Sequence, residues 1–169
     1  LLWSPEFVDS HSVTLADALP NLIYGIGSCL EAHDFGFTYA AESAAAKEIE
    51  EFGVGTARTP YTYGLIALGS ALEHADAFRI ALETNVMTIA PLTLARATIE
   101  AGSLARWIFD SRLTSQQRQA RGLLCRLEDN TLITKLGGAV QNGDELLAMA
   151  RKRRTAIVSA ATELGLEIR

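Results

Sequence analysis

The chain has 169 residues, of which 49% are apolar, 21% charged and 7% aromatic. This composition describes a globular domain with enough length to bury a core, and it excludes a disordered tail, a collagen-like repeat and a disulfide scaffold. Residues 1–90 contain 12 Asp and Glu against 3 Lys and Arg, a net of −9, whereas residues 91–169 contain 8 against 12, a net of +4. The resulting net charge of −5 argues against a dedicated nucleic-acid binder with a wholly basic surface.

The dominant period in the first half is helical, and alternating strand patterns are nearly absent. Three helices are predicted there, at residues 12–30, 38–52 and 61–84. Pro20 is expected to kink the first, and Gly53 with Gly55 to end the second. We predict a loop over residues 53–60, because Pro60 restricts the residue before it to extended backbone.

The second half predicts three more helices, at residues 88–110, 115–136 and 144–164. Pro91 fits the first turn of one helix, and Thr114 or Ser115 caps the next, which ends at Gly137-Gly138. Asp144 is predicted to cap the last. Short loops favour antiparallel neighbours, so the sequence predicts one all-α domain over residues 1–169, a single antiparallel bundle of about five to six helices. Because the chain starts at Leu1 rather than methionine, we expect a slightly longer native chain.

The helix at residues 88–110 has few charges and is expected near the centre of the bundle. Small residues line one side, whereas Arg96, Glu100 and Trp107 share the opposite side, the first two at a spacing of four. One interpretation is a partly buried structural ion pair that fixes the helix register. The other makes this side the wall of a ligand cleft, in which Arg96 binds an anion and Trp107 stacks on a planar group.

Histidines and cysteines supply the remaining candidates for chemistry. His74 lies at the edge of an apolar stripe and is either structural or an acid–base group that faces Arg96 or Glu100. His33, between Glu31 and Asp34, fits a polar loop better than a metal site, and His11 stands apart. Cys29 and Cys125 are far apart and are predicted to be free thiols of a reducing cytoplasm. We therefore predict no metal and no cofactor, and catalytic motifs such as a P-loop are absent.

A basic stretch near the end of the chain contains Arg151, Lys152, Arg153 and Arg154, hereafter the basic run. The period of the apolar seam of this helix passes through residues 153 and 154, so at least one arginine must snorkel, pair with an acid or face a partner. The predicted seam consists of Leu147, Ala150, Ile157, Ala161 and Leu164. A solvated face with salt bridges to the acidic half is one interpretation. A phosphate or nucleic-acid surface is the other, although aromatic residues for base stacking are missing here.

The runs Leu94–Glu100 and Trp107–Asp110, followed by Arg118 and Arg121, resemble uncharacterised actinobacterial helical proteins and, more distantly, HEPN-like bundles. The resemblance covers about residues 65–127. It implies a helical bundle, dimerisation and, for many HEPN domains, RNA cleavage or a part in defence systems. The HEPN active site has an arginine followed four to six residues later by a histidine, and this chain lacks that pair, since His74 and Arg79 stand in the reverse order.

These observations favour a cytoplasmic binding or regulatory module with a polar central cleft for a small anionic or nucleotide-like ligand. Its expected ligand-binding residues are His74, Arg96, Glu100 and Trp107. A homodimer is the expected assembly, and no membrane partner is expected. One alternative is a small-molecule enzyme with His74 as base, Glu100 as its orienter and Arg96 as anion clamp. Another is a catalytically degenerate HEPN-like component, associated with RNA or with a defence system, that uses the basic run. A pure oligomerisation scaffold is a further alternative.

Overall fold

The computed structural model describes residues 20, 23–25, 40–84, 89–140 and 143–166. Four substantial helices occur there, and we name them α1 (Ala44–Glu83), α2 (Ile89–Ile108), α3 (Ser115–Ala139) and α4 (Asp144–Glu163). No strand occurs in these ranges, so the predicted all-α fold is confirmed. The predicted helix at residues 12–30 lies outside the described residues except for helical positions 20 and 23–25, and His11, Cys29 and His33 also lie outside them.

The chain divides into two compact units. The first unit contains Leu1–Thr38 and Leu65–Trp107, and the second contains Tyr39–Gly64 and Ile108–Arg169. Helices α1 and α2 each contribute residues to both units. The prediction of a single domain over residues 1–169 stays a prediction.

Small side chains form the described core of the first unit. Ala67, Ala71 and Ala75 of α1 and Ala105 of α2 are all buried. A Cβ added at Gly102 would lie only 3.9 Å from the Cβ of Ala71. The small-residue side of α2 therefore faces inward, as its sequence predicts.

Larger aliphatic side chains form the core of the second unit. Leu123 of α3 packs with Ile157, Ala161 and Leu164, and the predicted seam of α4 is thus confirmed at these positions. The Gln116 amide donates from Nε2 to the carbonyl oxygen of Leu164 at 2.7 Å, so the start of α3 meets the end of α4. The opposite ends also meet, where Gly137 lies against Leu147. The two helices are therefore antiparallel.

The predicted loop at residues 53–60 is wrong. Gly53 adopts φ +76° and kinks α1, but the helix resumes directly and contains Pro60. A Cβ added at Gly122 of α3 would lie 2.7 Å from the backbone nitrogen of Pro60. Packing of Pro60 against α3 therefore outweighs the local preference of proline for a helix end.

Helix α3 begins as predicted and ends later than predicted. The Thr114 hydroxyl accepts a hydrogen bond from the Gln117 backbone N–H, and the Gln117 side chain accepts one from the Thr114 N–H, which forms a capping box. The helix continues through Gly137-Gly138 to Ala139. Gly137 allows the close approach of the start of α4, which is why a helix-breaking pair lies inside the helix.

The start of α4 differs from its prediction in one detail. Gly143 occupies the cap position, and Asp144 lies in the first helical turn with Glu145. Both carboxylates lie near the positive end of the helix dipole, which stabilises the helix without a capping hydrogen bond. None of the described helices combines the length and the apolar character needed to cross a bilayer.

Candidate functional site

Arg96 and Glu100 of α2 form an ion pair in the first unit. The Arg96 Nε donates to the Glu100 Oε1 at 2.7 Å, so the contact predicted from their spacing is confirmed. The prediction that this pair is partly buried is wrong, because 78% of the Arg96 side chain and 62% of the Glu100 side chain are exposed. The core of this unit uses the alanine and glycine side of α2, which turns the charged side to solvent.

Trp107 and His74 complete the predicted set. Trp107 is exposed on the same side of α2 as Arg96, and His74 lies half-buried on α1. In the part of the chain that the structure describes, no hydrogen bond or ion pair joins His74 to Arg96 or Glu100. The structure thus joins Arg96 to Glu100 but, among the described residues, not to His74, so their roles in ligand binding or catalysis stay predictions.

The basic run lies on the surface of α4. Arg151, Lys152, Arg153 and Arg154 are all exposed. Arg153 and Arg154 flank the buried Ala150 and Ile157, so their stems pass beside the seam while their heads reach solvent. Within the described ranges none of the four forms an ion pair, so the predicted salt bridges to the acidic half are not formed there.

The second unit contains a buried polar cluster that the sequence analysis does not predict. The Arg118 Nε donates to Glu48 Oε1 at 2.9 Å, and the Gln119 Nε2 donates to Glu48 Oε2, also at 2.9 Å. Only 8% of the Arg118 side chain and 2% of the Glu48 side chain are exposed. Glu48, Arg118 and Gln119 are hereafter the Glu48 cluster.

The Glu48 cluster also holds the chain between α2 and α3. Arg118 donates from Nη1 to the carbonyl oxygens of Ile108, at 3.1 Å, and Asp110, at 3.4 Å. Its guanidinium carbon lies 6.0 Å from the ring centroid of Tyr61. One arginine thus neutralises a buried carboxylate and binds the Ile108 carbonyl at the end of α2. The Asp110 carbonyl also accepts from the Leu113 N–H at 3.1 Å. The cluster is a structural centre with no exposed group for a ligand.

A weak signal for this cluster was present in the sequence. Ala45, Glu48 and Phe52 follow the spacing of a buried helical stripe, and Glu48 is the charged member of that stripe. A charged residue at such a position needs a buried partner. The sequence cannot say which of the twelve basic residues in the second half supplies it.

The loop between α2 and α3 contains a second ion pair. Asp110 accepts from the Arg112 backbone N–H at 3.0 Å and from its guanidinium nitrogens Nε and Nη2 at 3.0 and 2.8 Å. These hydrogen bonds hold the pKa of the Asp110 carboxyl well below its usual range. Asp110 is thereby fixed by its own loop.

Tyr63, Cys125 and Asp129 form a further polar group in the second unit. The Tyr63 hydroxyl donates to Asp129 Oδ2 at 2.7 Å. Burial, followed by the hydrogen bond to Asp129, raises the pKa of Tyr63, and burial also raises the pKa of the Cys125 thiol. A thiol with a raised pKa is a poor nucleophile at neutral pH, so this group does not resemble an activated cysteine.

The raised pKa of Tyr63 predicts a loss of stability at high pH. The folded state holds the phenolic proton more tightly than the unfolded chain, so this contribution is complete below the ordinary tyrosine pKa and is lost as pH rises above it. Denaturant unfolding between about pH 9 and 11 should show a smaller loss of stability for Tyr63→Phe than for the wild type. Tyr24→Phe, at a side chain 71% exposed, is the matched control. Equal losses in all three proteins would contradict the prediction.

No three histidine, cysteine or carboxylate side chains gather into a metal-binding group in the described part of the chain. Comparison of the chain with protein-family models, with curated proteins and with solved structures finds no match. The resemblance of residues 65–127 to HEPN-like bundles therefore stays a hypothesis. Function has to be inferred from the surfaces described above.

Proposed function

We propose that this chain is a cytoplasmic helical binding module and that its outer face of α2 binds a second copy of the chain. This outer face consists of Ile89, Leu92, Arg96, Ile99, Glu100 and Trp107. The observation that carries the proposal is the exposure of three large aliphatic side chains, Ile89 at 81%, Leu92 at 70% and Ile99 at 68%. Single exposed aliphatic residues are common on protein surfaces, but an aligned set indicates a binding surface.

The exposed residues are aligned along the whole helix. At about 100° per residue, every member of the outer face points within roughly 60° of the direction of Arg96. The 20 residues of α2 extend over about 30 Å, so the stripe matches the length of another helix. Burial of such side chains against a partner contributes about 1.5–3 kcal/mol each before the costs of association.

The outer face is complementary to itself in an antiparallel arrangement. A two-fold axis near residue 98 places apolar residues opposite apolar residues and Arg96 of one copy opposite Glu100 of the other. The facing positions are Ile89 with Trp107 and Arg96 with Glu100. Leu92 faces Leu104, which borders the outer face at about 80° from Arg96 and is 39% exposed. This symmetry of charge and shape favours a second copy over an unrelated partner, because closed two-fold dimers require a self-complementary patch.

A small anionic ligand fits the same residues less well. Arg96 and Trp107 are eleven residues apart, which is a rise of about 16 Å along the helix. A small anion bound at Arg96 would therefore not reach the indole ring. An elongated partner contacts both positions at once, which is why the dimer is the better proposal.

The proposal predicts a charge-swap result. Arg96→Glu places two glutamates opposite two glutamates, and Glu100→Arg places arginines opposite arginines. Each single variant is expected to weaken the dimer by about five- to thirtyfold, since two symmetry-related contacts each change by roughly 0.5–1 kcal/mol. An equimolar mixture of the two variants is expected to form a heterodimer, because each arginine pair then faces a glutamate pair.

Sedimentation equilibrium of the wild type, the two variants and their mixture measures this directly. Lys135→Glu, an exposed charge reversal on α3, is the control and should dimerise as strongly as the wild type. A monomeric wild type would overturn the proposal. A dimer that both single variants retain unchanged would place the interface elsewhere and overturn it as well.

A further inference from the structure

The basic run on α4 has no acidic residue within reach along its own helix. The positions three and four residues before and after each of the four cations carry only Leu, Ala, Met, Thr, Ile, Val or Arg. Arg151 and Arg154 are themselves three apart, so their charges repel. The helix thus concentrates four positive charges that its own sequence leaves unbalanced.

These cations surround most of the helix. At about 100° per residue, positions 151–154 turn through about 300°, and all four are exposed. Only the narrow side with Ala150 and Ile157 is used by the core. The basic run is therefore a curved ridge and not a flat patch.

A flexible polyanion fits a curved ridge better than a membrane does. A flat bilayer would meet only the outward side, where Ala148, Thr155 and Ser159 are small or polar. The larger apolar side chains, Met149 at 38% and Val158 at 42% exposed, lie at opposite edges of this side. They form no continuous apolar face that could insert into the hydrocarbon region. A single-stranded nucleic acid can bend around the ridge and bring successive phosphates to several cations.

The net charge of −5 does not prevent such binding. Acidic residues on α4 lie at its two ends, at Asp144, Glu145 and Glu163, six residues or more and therefore about 9 Å or more along the axis from the basic run. At about 0.1 M salt the Debye length is about 10 Å, so more distant carboxylates of the chain are largely screened. The local field near the basic run then decides the interaction with a phosphate.

We infer that the basic run binds the phosphate backbone of single-stranded nucleic acid without preference for base sequence. The absence of preference follows from the residue types, because the basic run contains no aromatic side chain for base stacking and exposes only cations. This surface belongs to the second unit and is separate from the outer face of α2. The inference therefore does not depend on the proposed dimer.

Fluorescence anisotropy with labelled 20-residue oligo-dT and oligo-dA at several salt concentrations tests this inference. With four phosphate contacts, log K is expected to fall with log salt with a slope of about −2.8, and the two oligonucleotides should bind equally. R151Q/K152Q should make the salt dependence shallower, with a slope of about −1.4 instead of −2.8. Neutralising all four cations should abolish binding. K47Q/K135Q, which removes two other exposed charges, should bind as the wild type does.

Three results would overturn the inference. One is retention of binding by the quadruple variant with an unchanged helical circular dichroism spectrum. Another is a strong preference for one oligonucleotide, which would indicate base recognition elsewhere on the chain. The third is binding to phosphatidylserine vesicles in the absence of oligonucleotide binding, which would assign the basic run to membranes.

Discussion

Glu48→Leu is expected to lower the free energy of unfolding by about 3–5 kcal/mol, because it leaves the buried guanidinium of Arg118 without its counter-charge. Arg118→Leu should lower the free energy of unfolding by a similar amount, because it leaves the buried Glu48 carboxylate without its counter-charge. It also removes the donor that the carbonyl groups of Ile108 and Asp110 share. The buried Ile108 carbonyl then lacks this hydrogen bond, at about 1–3 kcal/mol, whereas the Asp110 carbonyl still accepts from the Leu113 N–H.

The double variant separates the charge effect from the carbonyl effect. With both charges removed, no buried ion remains, so Glu48→Leu with Arg118→Leu should be less destabilising than the sum of the single changes by several kcal/mol. Some loss should persist, because the Gln119 amide and the Ile108 carbonyl still lack their partners. Urea denaturation at pH 7 with a common m-value gives all three free energies.

An exposed ion pair of the same chain provides the control for this cycle. Arg112 pairs with Asp110, but 85% of its side chain is exposed, so Arg112→Ala should change stability by no more than about 1 kcal/mol. Single changes at Glu48 and Arg118 that cost as little as Arg112→Ala would mean that water reaches the cluster. The structural role assigned to the Glu48 cluster would then be wrong.

The helices were predictable from the sequence because their signals are local. Apolar periodicity and the Thr114 cap define the positions of α2, α3 and α4 to within a few residues. The errors occur at Gly53–Pro60 and at Gly137-Gly138, where residues that normally interrupt helices lie inside them. At both places a neighbouring backbone approaches closely, and that approach depends on tertiary packing, which no local pattern contains.

The site was predictable in its contacts but not in its burial. A spacing of four residues is enough to predict contact between Arg96 and Glu100, and the structure contains this ion pair. Whether a helix side faces the core depends on which side its neighbours can approach. In α2 that is the side of Ala105 and Gly102, so large apolar residues on the other side are left exposed.

The uneven charge of the two halves is partly resolved by internal pairing. Glu48 comes from the acidic half and Arg118 from the basic half, and they meet in the second unit. The basic run takes no part in such pairing among the described residues. Arg118 is therefore structural, whereas the four cations of the basic run remain at the surface. The Glu48 and Arg118 variants test the first role, and the variants of the basic run test the second.

Gly122→Ala is expected to destabilise the protein by about 1–3 kcal/mol, although alanine is the better helix former. The added Cβ would lie 2.7 Å from the nitrogen, 2.9 Å from the Cα and 2.9 Å from the Cδ of Pro60. Two of these are backbone atoms in the interior of α1, so they cannot move aside as a flexible side chain would. Helices α1 and α3 would have to separate locally.

Gly138→Ala, in the same helix, is expected to have the opposite effect on stability. Nothing lies within 4 Å of a Cβ at Gly138, so this change should stabilise the protein by about 0.5–1 kcal/mol through helix propensity alone. Adding Pro60→Ala to Gly122→Ala removes the Cδ but leaves the nitrogen and Cα in place, so it should not restore stability. Urea denaturation of the wild type, the two glycine variants and the double variant measures these free energies of unfolding. If Gly122→Ala is as stable as Gly138→Ala, the close approach of α1 and α3 that explains the helical Pro60 is incorrect.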